Sequence, residues 1–114
     1  MPKFDFVTFG GATEDITFYT EEGVIIDNKK DITKQKLLGF EYGAKLRTDK
    51  AYSTFGGGAA NSAVALSKLG FKVGGAMPVG NDIRGKKIIK NLRSHRIDTS
   101  LVEKVEGKES PFAL

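Results

Sequence analysis

Apolar and polar positions change rhythm along the chain, and each rhythm predicts an element. Residues 4–9, Phe-Asp-Phe-Val-Thr-Phe, are aromatic and β-branched and stop at Gly10-Gly11, which predicts a first strand ending in a turn. Residues 16–19 and 24–26 predict short strands separated by Glu21-Glu22-Gly23, and 27–36 is polar and predicted irregular. Over 40–46 the apolar positions Phe40, Tyr42, Ala44 and Leu46 alternate with Glu41, Gly43 and Lys45, the period-two pattern of a half-exposed strand. Residues 16–55 therefore read as a small, partly open sheet inserted after the first strand.

The texture changes at Phe55. Gly56-Gly57-Gly58 leads into Ala59-Ala60-Asn61-Ser62-Ala63-Val64-Ala65-Leu66-Ser67-Lys68-Leu69 and then Gly70, a helix of small and apolar residues closed by a glycine. It is apolar nearly all round, so it is expected to be buried, its alanines lying close against a sheet. Residues 72–78 predict a strand, 79–82 a loop, 83–94 a helix and 99–105 another strand. Asp82 stands where it would cap the helix that follows. Strand, helix, strand, helix, strand at these spacings indicates βαβ units and a parallel sheet, hence an α/β fold. Residues 110–114, Ser-Pro-Phe-Ala-Leu, look like a strand just starting, so the sheet reads as interrupted and the chain as a truncated one.

Composition narrows the classes. The chain has 114 residues, room for one domain, and 39% of them are hydrophobic, enough to build a core. Mean hydropathy is −0.25, and no apolar run approaches the ~20 residues of a membrane helix. Residues 1–9 lack the basic n-region and long apolar stretch of a secretory signal. Cysteine is absent and histidine occurs once, which removes disulfide, thiolate and His-based metal chemistry from consideration. The expected location is cytoplasmic, with no membrane partner.

Net charge is +4, which raises nucleic acid as a partner. The basic residues gather at Arg84, Lys86, Lys87, Lys90, Arg93 and Arg96. At about 100° per residue, Gly85, Ile88, Ile89 and Leu92 form one apolar stripe, and the five basic residues from Arg84 to Arg93 fall outside it. They read as the solvated face of an amphipathic helix. No aromatic side chain is interleaved to stack on bases, so no nucleic acid is expected. His95 reads as an exposed residue at the helix C-terminus, where the dipole favours it.

Three polar positions fall at element ends that a parallel sheet brings together: Asp15 after the first strand, Asn61 in the first turn of the first helix, and Asp82. A glycine run there lets backbone N–H groups approach a ligand without a Cβ in the way. Asp15 accepts hydrogen bonds from hydroxyls, and Asn61 both donates and accepts, a combination suited to a polyhydroxylated ligand. Each also has a plain alternative: a tight turn for Gly56–Gly58, a turn residue for Asp15, a satisfied first-turn side chain for Asn61, a helix cap for Asp82. The dinucleotide fingerprint G-x-G-x-x-G fails, because Asn61 stands at its third glycine. The Walker pattern nearly appears at Gly80–Lys87, but Lys87 replaces the hydroxyl residue that would hold magnesium.

Gly57-Gly58-Ala59-x-Asn61-x-Ala63, six residues to Gly70 and nine more to Gly80, resembles the N-terminal signature of the ribokinase-like (PfkB) carbohydrate kinases. The flanks agree: residues 6–15 resemble that family's first strand and substrate-binding aspartate, and Gly80-Asn81-Asp82-x-x-Gly85 its Gly-x-Asp-x-x-Gly segment. The resemblance implies a ribokinase-like parallel sheet with flanking helices, here incomplete, and a small β-sheet lid at 16–55. It implies that residues 1–114 are the N-terminal part of a kinase domain whose C-terminal catalytic part, with the Gly-Ala-Gly-Asp segment, is absent. Asp15, Gly56, Gly57 and Asn61 would bind a sugar or nucleoside; no catalytic, cofactor-binding or metal residue is expected in this chain. The whole enzyme would use ATP and Mg2+, the chain alone would bind neither and be inactive, and the lid would pair two subunits into a homodimer. Gly58 stands where some members have lysine, Ala59 where some have glycine, and Thr13 where some have asparagine, so the particular acceptor is not implied. A non-catalytic ligand-binding or interaction module, or a basic nucleic-acid binder, would be the competing readings.

Overall fold

The apolar start of the chain forms β1 (Phe6–Phe9). It pairs in parallel with β6 (Val73–Ala76), from Phe6 opposite Val73 to Phe9 opposite Ala76. The crossover between them includes α1 (Gly58–Lys68), which packs on both strands. A second unit of the same kind follows: β7 (Pro78–Gly80), α2 (Ile83–Ser94) and β8 (Glu103–Val105), with β7 and β8 parallel. A computed structural model describes residues 3–114 of the chain. The expected α/β class with parallel strand pairs and two flanking helices is what these elements form.

By contacts the chain divides into two units, one taking in the N-terminal residues to Ile16 with Ser53–Leu114, the other Thr17–Tyr52. The larger unit holds the core. The stripe Gly85, Ile88, Ile89 and Leu92 of α2 is buried as its spacing predicts, together with Val73, Met77, Val79 and Ile97. Arg96 ends α2 with φ 61, a left-handed position that glycine usually fills.

Two long strands, β2 (Thr13–Tyr19) and β5 (Lys50–Gly56), each have residues in both units, and β9 (Phe112–Ala113) joins β2 in parallel. The order is β5-β2-β9. The predicted strand at 110–114 is therefore present, shortened, with Glu14 opposite Phe112 and Asp15 opposite Ala113.

Within the smaller unit, β3 (Val24–Asp27) and β4 (Lys36–Gly39) form an antiparallel hairpin. Its loop is turned by the Asp31 carboxylate, which accepts from the amide and hydroxyl of Thr33. Val24, Ile25, Leu37 and Leu38 are all exposed. Residues 40–46 are not the strand their alternation predicts. Gly43 has φ 77 and the Ala44 amide donates to the Glu41 carbonyl, so a turn closes there. Period two ignores a glycine in the left-handed region.

Three other expectations change. The strand predicted over 72–78 breaks at Met77: β6 pairs with β1 and β7 with β8, so the chain crosses between strand pairs. The strand predicted over 99–105 keeps only its last three residues. Nor is α1 buried all round. Ala59, Ala60 and Ala63 are buried toward β1 and β6, while Leu69 at its end is 74% exposed. The helix has one sheet to lie on, and only the alanine side meets it.

Leu92 is 0% exposed at the centre of the α2 stripe. Leu92→Ala should lower unfolding free energy by about 2–5 kcal/mol, read from urea unfolding, because the closely packed site collapses only partly around the lost atoms.

Candidate functional site

Strand β2 places Asp15 and Glu14 on opposite faces, as any strand does with successive residues. Asp15 is thus held in a strand and not in the loop its position after Gly10-Gly11 suggests. Its Oδ1 accepts from the Thr13 hydroxyl at 2.8 Å. Its Oδ2 lies against Gly56, so closely that a Cβ on that glycine would come within 2.5 Å of it. Gly56 ends β5 and Gly57 caps α1.

Gly57 has φ 95, and the position a Cβ would take is filled by the Gly11 carbonyl and the Ala12 Cα. Only a glycine permits that approach. The Gly11 carbonyl accepts from the Ala60 amide at 3.4 Å, and the Thr8 hydroxyl donates to the Ala59 carbonyl at 2.9 Å. The first turn of α1 is thereby locked to the turn between β1 and β2. Asp15, Gly56 and Gly57 are brought together.

Asn61 adjoins them through the backbone, its amide donating to the Gly57 carbonyl at 2.9 Å. Its side chain is exposed and lines an open hollow of about 390 Å³ with Ser53, Thr54, Phe55, Asn91 and His95, in which Asp15 takes no part.

Two polar residues are buried among the described residues, Glu14 and Ser110, and neither is conspicuous in the sequence. Glu14 is 4% exposed. Its Oε1 accepts from the Ser53 hydroxyl at 2.7 Å, its Oε2 from Arg84 Nε at 3.0 Å, and Lys87 Nζ stands 3.5 Å away. The Ser53 bond, with Arg84 and Lys87 behind it, holds this carboxyl below its ordinary range against the opposing effect of burial. The Arg84 guanidinium also lies over the Phe112 ring, 4.1 Å from its centre. Arg84 and Lys87 are therefore engaged and not simply part of a solvated face; Lys86, Lys90 and Arg93 remain exposed on it.

Asp82 caps α2 as expected, its Oδ1 accepting from the Gly85 amide at 2.7 Å. It does more. The Ser110 hydroxyl donates to Oδ1 at 2.7 Å and the Ser110 amide to Oδ2 at 2.8 Å, while the Gly80 amide donates to the Ser110 oxygen at 2.8 Å. A Cβ on Gly80 would meet the Lys108 carbonyl, and one on Gly85 the Gly80 carbonyl. The Gly80-x-Asp82-x-x-Gly85 segment is a structural knot that receives the chain before β9. His95 is half-buried at the end of α2, its Nδ1 2.9 Å from the Asn91 carbonyl.

The profile of the pfkB family carbohydrate kinases matches residues 24–114. The chain belongs to that family. No curated protein matches it by sequence. Among solved structures it is similar to a PfkB protein from Polaromonas sp. JS666, with 22% identity and a TM-score of 0.68 over 96% of this chain and 30% of that one. It is similar also to the nucleoside kinase of Methanocaldococcus jannaschii, with 24% identity and a TM-score of 0.67 over 93% of this chain and 30% of that one. A ribokinase from Cryptococcus neoformans solved with ADP gives 19% identity and a TM-score of 0.67 over 93% and 28%. These likenesses show the ribokinase-type fold. The chain spans about 30% of the length of these pfkB-family relatives.

Glu14, Ser53 and Ser110 escaped notice in the sequence as site residues, and Arg84 read there as part of a solvated face. Alternation alone puts Glu14 on the face of β2 opposite Asp15, but nothing local says that this face is buried.

The bonds to Asp82 give a pH dependence. The Ser110 hydroxyl first, then the Ser110 and Gly85 amides, lower its pKa from 3.8 to about 2, with Arg84 adding to them against burial. A folded-state pKa below the unfolded one contributes stability that is complete above the unfolded value and lost as pH falls through the folded one. Thermal midpoints followed from about pH 5 to pH 2 should therefore fall less steeply for Asp82→Asn than for the parent. Parallel declines would exclude this role.

Proposed function

We propose that this chain is the substrate-binding N-terminal portion of an ATP-dependent kinase that phosphorylates a hydroxyl of a sugar, sugar phosphate or nucleoside. The observation that carries the reading is the Asp15 carboxylate set against Gly56, next to the Gly57 cap of α1. Thr13 takes part of one oxygen, so Oδ2 and a remaining lone pair of Oδ1 are left to accept from ligand hydroxyls. Gly56 leaves room for that carboxylate and Gly57 for the Gly11 carbonyl, so these two would meet the acceptor through their backbone alone, and the Asn61 amide, lining the neighbouring hollow, would hold a different part of it. The acceptor molecule would be held at more than one point by fixed groups, which is the larger part of what a protein supplies in phosphoryl transfer.

ATP with Mg2+ would be the donor in the complete enzyme. Among the described residues no group of three or more His, Asp or Glu side chains is arranged to hold a metal ion. The steps assigned to this chain concern the acceptor alone, and the proton-accepting base belongs to the C-terminal part of the domain. Thr17–Tyr52 would serve as the β lid, and its exposed Val24, Ile25, Leu37 and Leu38 suit pairing with a second copy. The protein would act in the cytoplasm on a small molecule, without nucleic acid or membrane.

In the complete kinase, Asp15→Ala should raise KM for the acceptor about 10–100-fold, the worth of one or two hydrogen bonds to a charged group, with KM for ATP little changed. Gly56→Ala should move it in the same direction by pushing the carboxylate aside. Equal loss for both substrates in steady-state kinetics would count against the assignment. The 114 residues alone should give no acceptor-dependent ADP release in a coupled assay, and measurable release would refute that part.

A further inference from the structure

Among the described residues the Asp15 carboxylate is met only by the Thr13 hydroxyl and the glycine it faces, yet its usefulness depends on position. The adjacent residue supplies the fixing. Glu14 ties β2 to three groups on two other elements: Ser53 on β5, and Arg84 and Lys87 on α2. Helix α2 is itself fixed in the fold. Its apolar stripe is buried and Asp82 caps its first turn. Ser53 stands three residues before Gly56, so Glu14 joins β2 to β5 close to where Asp15 meets that glycine. On the neighbouring position the Thr54 hydroxyl reaches the Asp15 carbonyl at 3.5 Å.

From this arrangement we infer that Glu14 is a positioning residue for acceptor binding, acting through Asp15 and held by Arg84, Lys87 and Ser53; the inference rests on the acceptor role of Asp15 given above. A buried carboxylate must keep its cations and its hydroxyl donor, because an unpaired charge does not stay in such a site. The requirement works in both directions. Keeping Glu14 paired draws β2 against α2, and so fixes the reach between the Asp15 carboxylate and the Gly56–Gly57 backbone. Replacing the carboxylate by an amide of the same size releases Arg84 and leaves β2 free to shift. A displacement of even part of an ångström at a binding carboxylate is costly in affinity.

The test is steady-state kinetics of the complete kinase with Glu14→Gln. KM for the acceptor should rise about tenfold, while kcat and KM for ATP stay within about twofold. A purely structural role would lower the amount of folded enzyme, hence the apparent kcat, and leave KM for the acceptor alone. Arg84→Met should follow Glu14→Gln, and Arg84→Lys, which keeps the charge but loses the Nε–H donor and the planar group over Phe112, should raise the same KM less. Ser53→Ala removes one exposed hydroxyl and serves where Glu14→Gln fails to fold; it should raise the same KM about two- to fivefold. An unchanged acceptor KM in folded Glu14→Gln or Ser53→Ala enzyme overturns the inference. Asp15→Ala, run beside them, separates the failures. If it raises acceptor KM while the Glu14 and Ser53 variants do not, only the positioning role falls. If it too is silent, the acceptor site itself is misplaced.

Discussion

A carboxylate buried at Glu14 has to be answered by positive charge and hydrogen-bond donors, and much of the larger unit is arranged around that demand. Arg84 and Lys87 come to it from α2 and Ser53 from β5. Arg84 then reaches on: its Nη1 lies 3.5 Å from the Ser110 carbonyl, and its guanidinium covers Phe112. Ser110 in turn is bound by Asp82 and Gly80. A chain of polar contacts thus runs from β5 through β2 and the start of α2 to β9. Both buried polar residues lie on it, and no buried side-chain nitrogen or oxygen is left without a partner among the described residues. Satisfied in this way, a buried polar network favours one arrangement of strands over nearby alternatives.

The glycines act on the same problem from the other side. Gly57 lets the Gly11 carbonyl come where a side chain would stand, and Gly56 leaves room for the Asp15 carboxylate. Backbone contact replaces side-chain packing at the start of α1, and the contact is short because nothing intervenes. Gly80 and Gly85 do likewise beside Asp82 and Ser110. The motifs that mark the pfkB family in this chain divide accordingly. Gly56 sits beside a carboxylate with one side-chain donor, Thr13, whereas Gly80 and Gly85 close a knot whose carboxylate accepts from Gly85 and from both the amide and the hydroxyl of Ser110. The hydrogen-bond partners distinguish the two segments.

Much of the framework was legible from local pattern. The α2 stripe of Gly85, Ile88, Ile89 and Leu92 is buried as spaced, Asp82 caps as placed, and the parallel pairs follow from the alternation of strand and helix. These succeed because the responsible interactions lie within a few residues of one another. Residues 40–46 failed because alternation says nothing of the backbone sign at Gly43. The helix α1 failed in part because composition reports how apolar a helix is and not how many surfaces are present to cover it.

By itself, the sequence determined the element types, the class of fold, the family and the residues Asp15, Gly56, Gly57 and Asn61 as candidates for a ligand. Only the tertiary structure decided that Asp15 faces Gly56 while Asn61 looks into a neighbouring hollow, and that Arg84 is drawn inward to Glu14. The reason is range. Periodicity and capping are settled by neighbours three or four positions away, but the partner of Glu14 is 70 residues distant. Which face of β2 is buried, and therefore which carboxylate is paired with cations, exists only once the distant helix has packed.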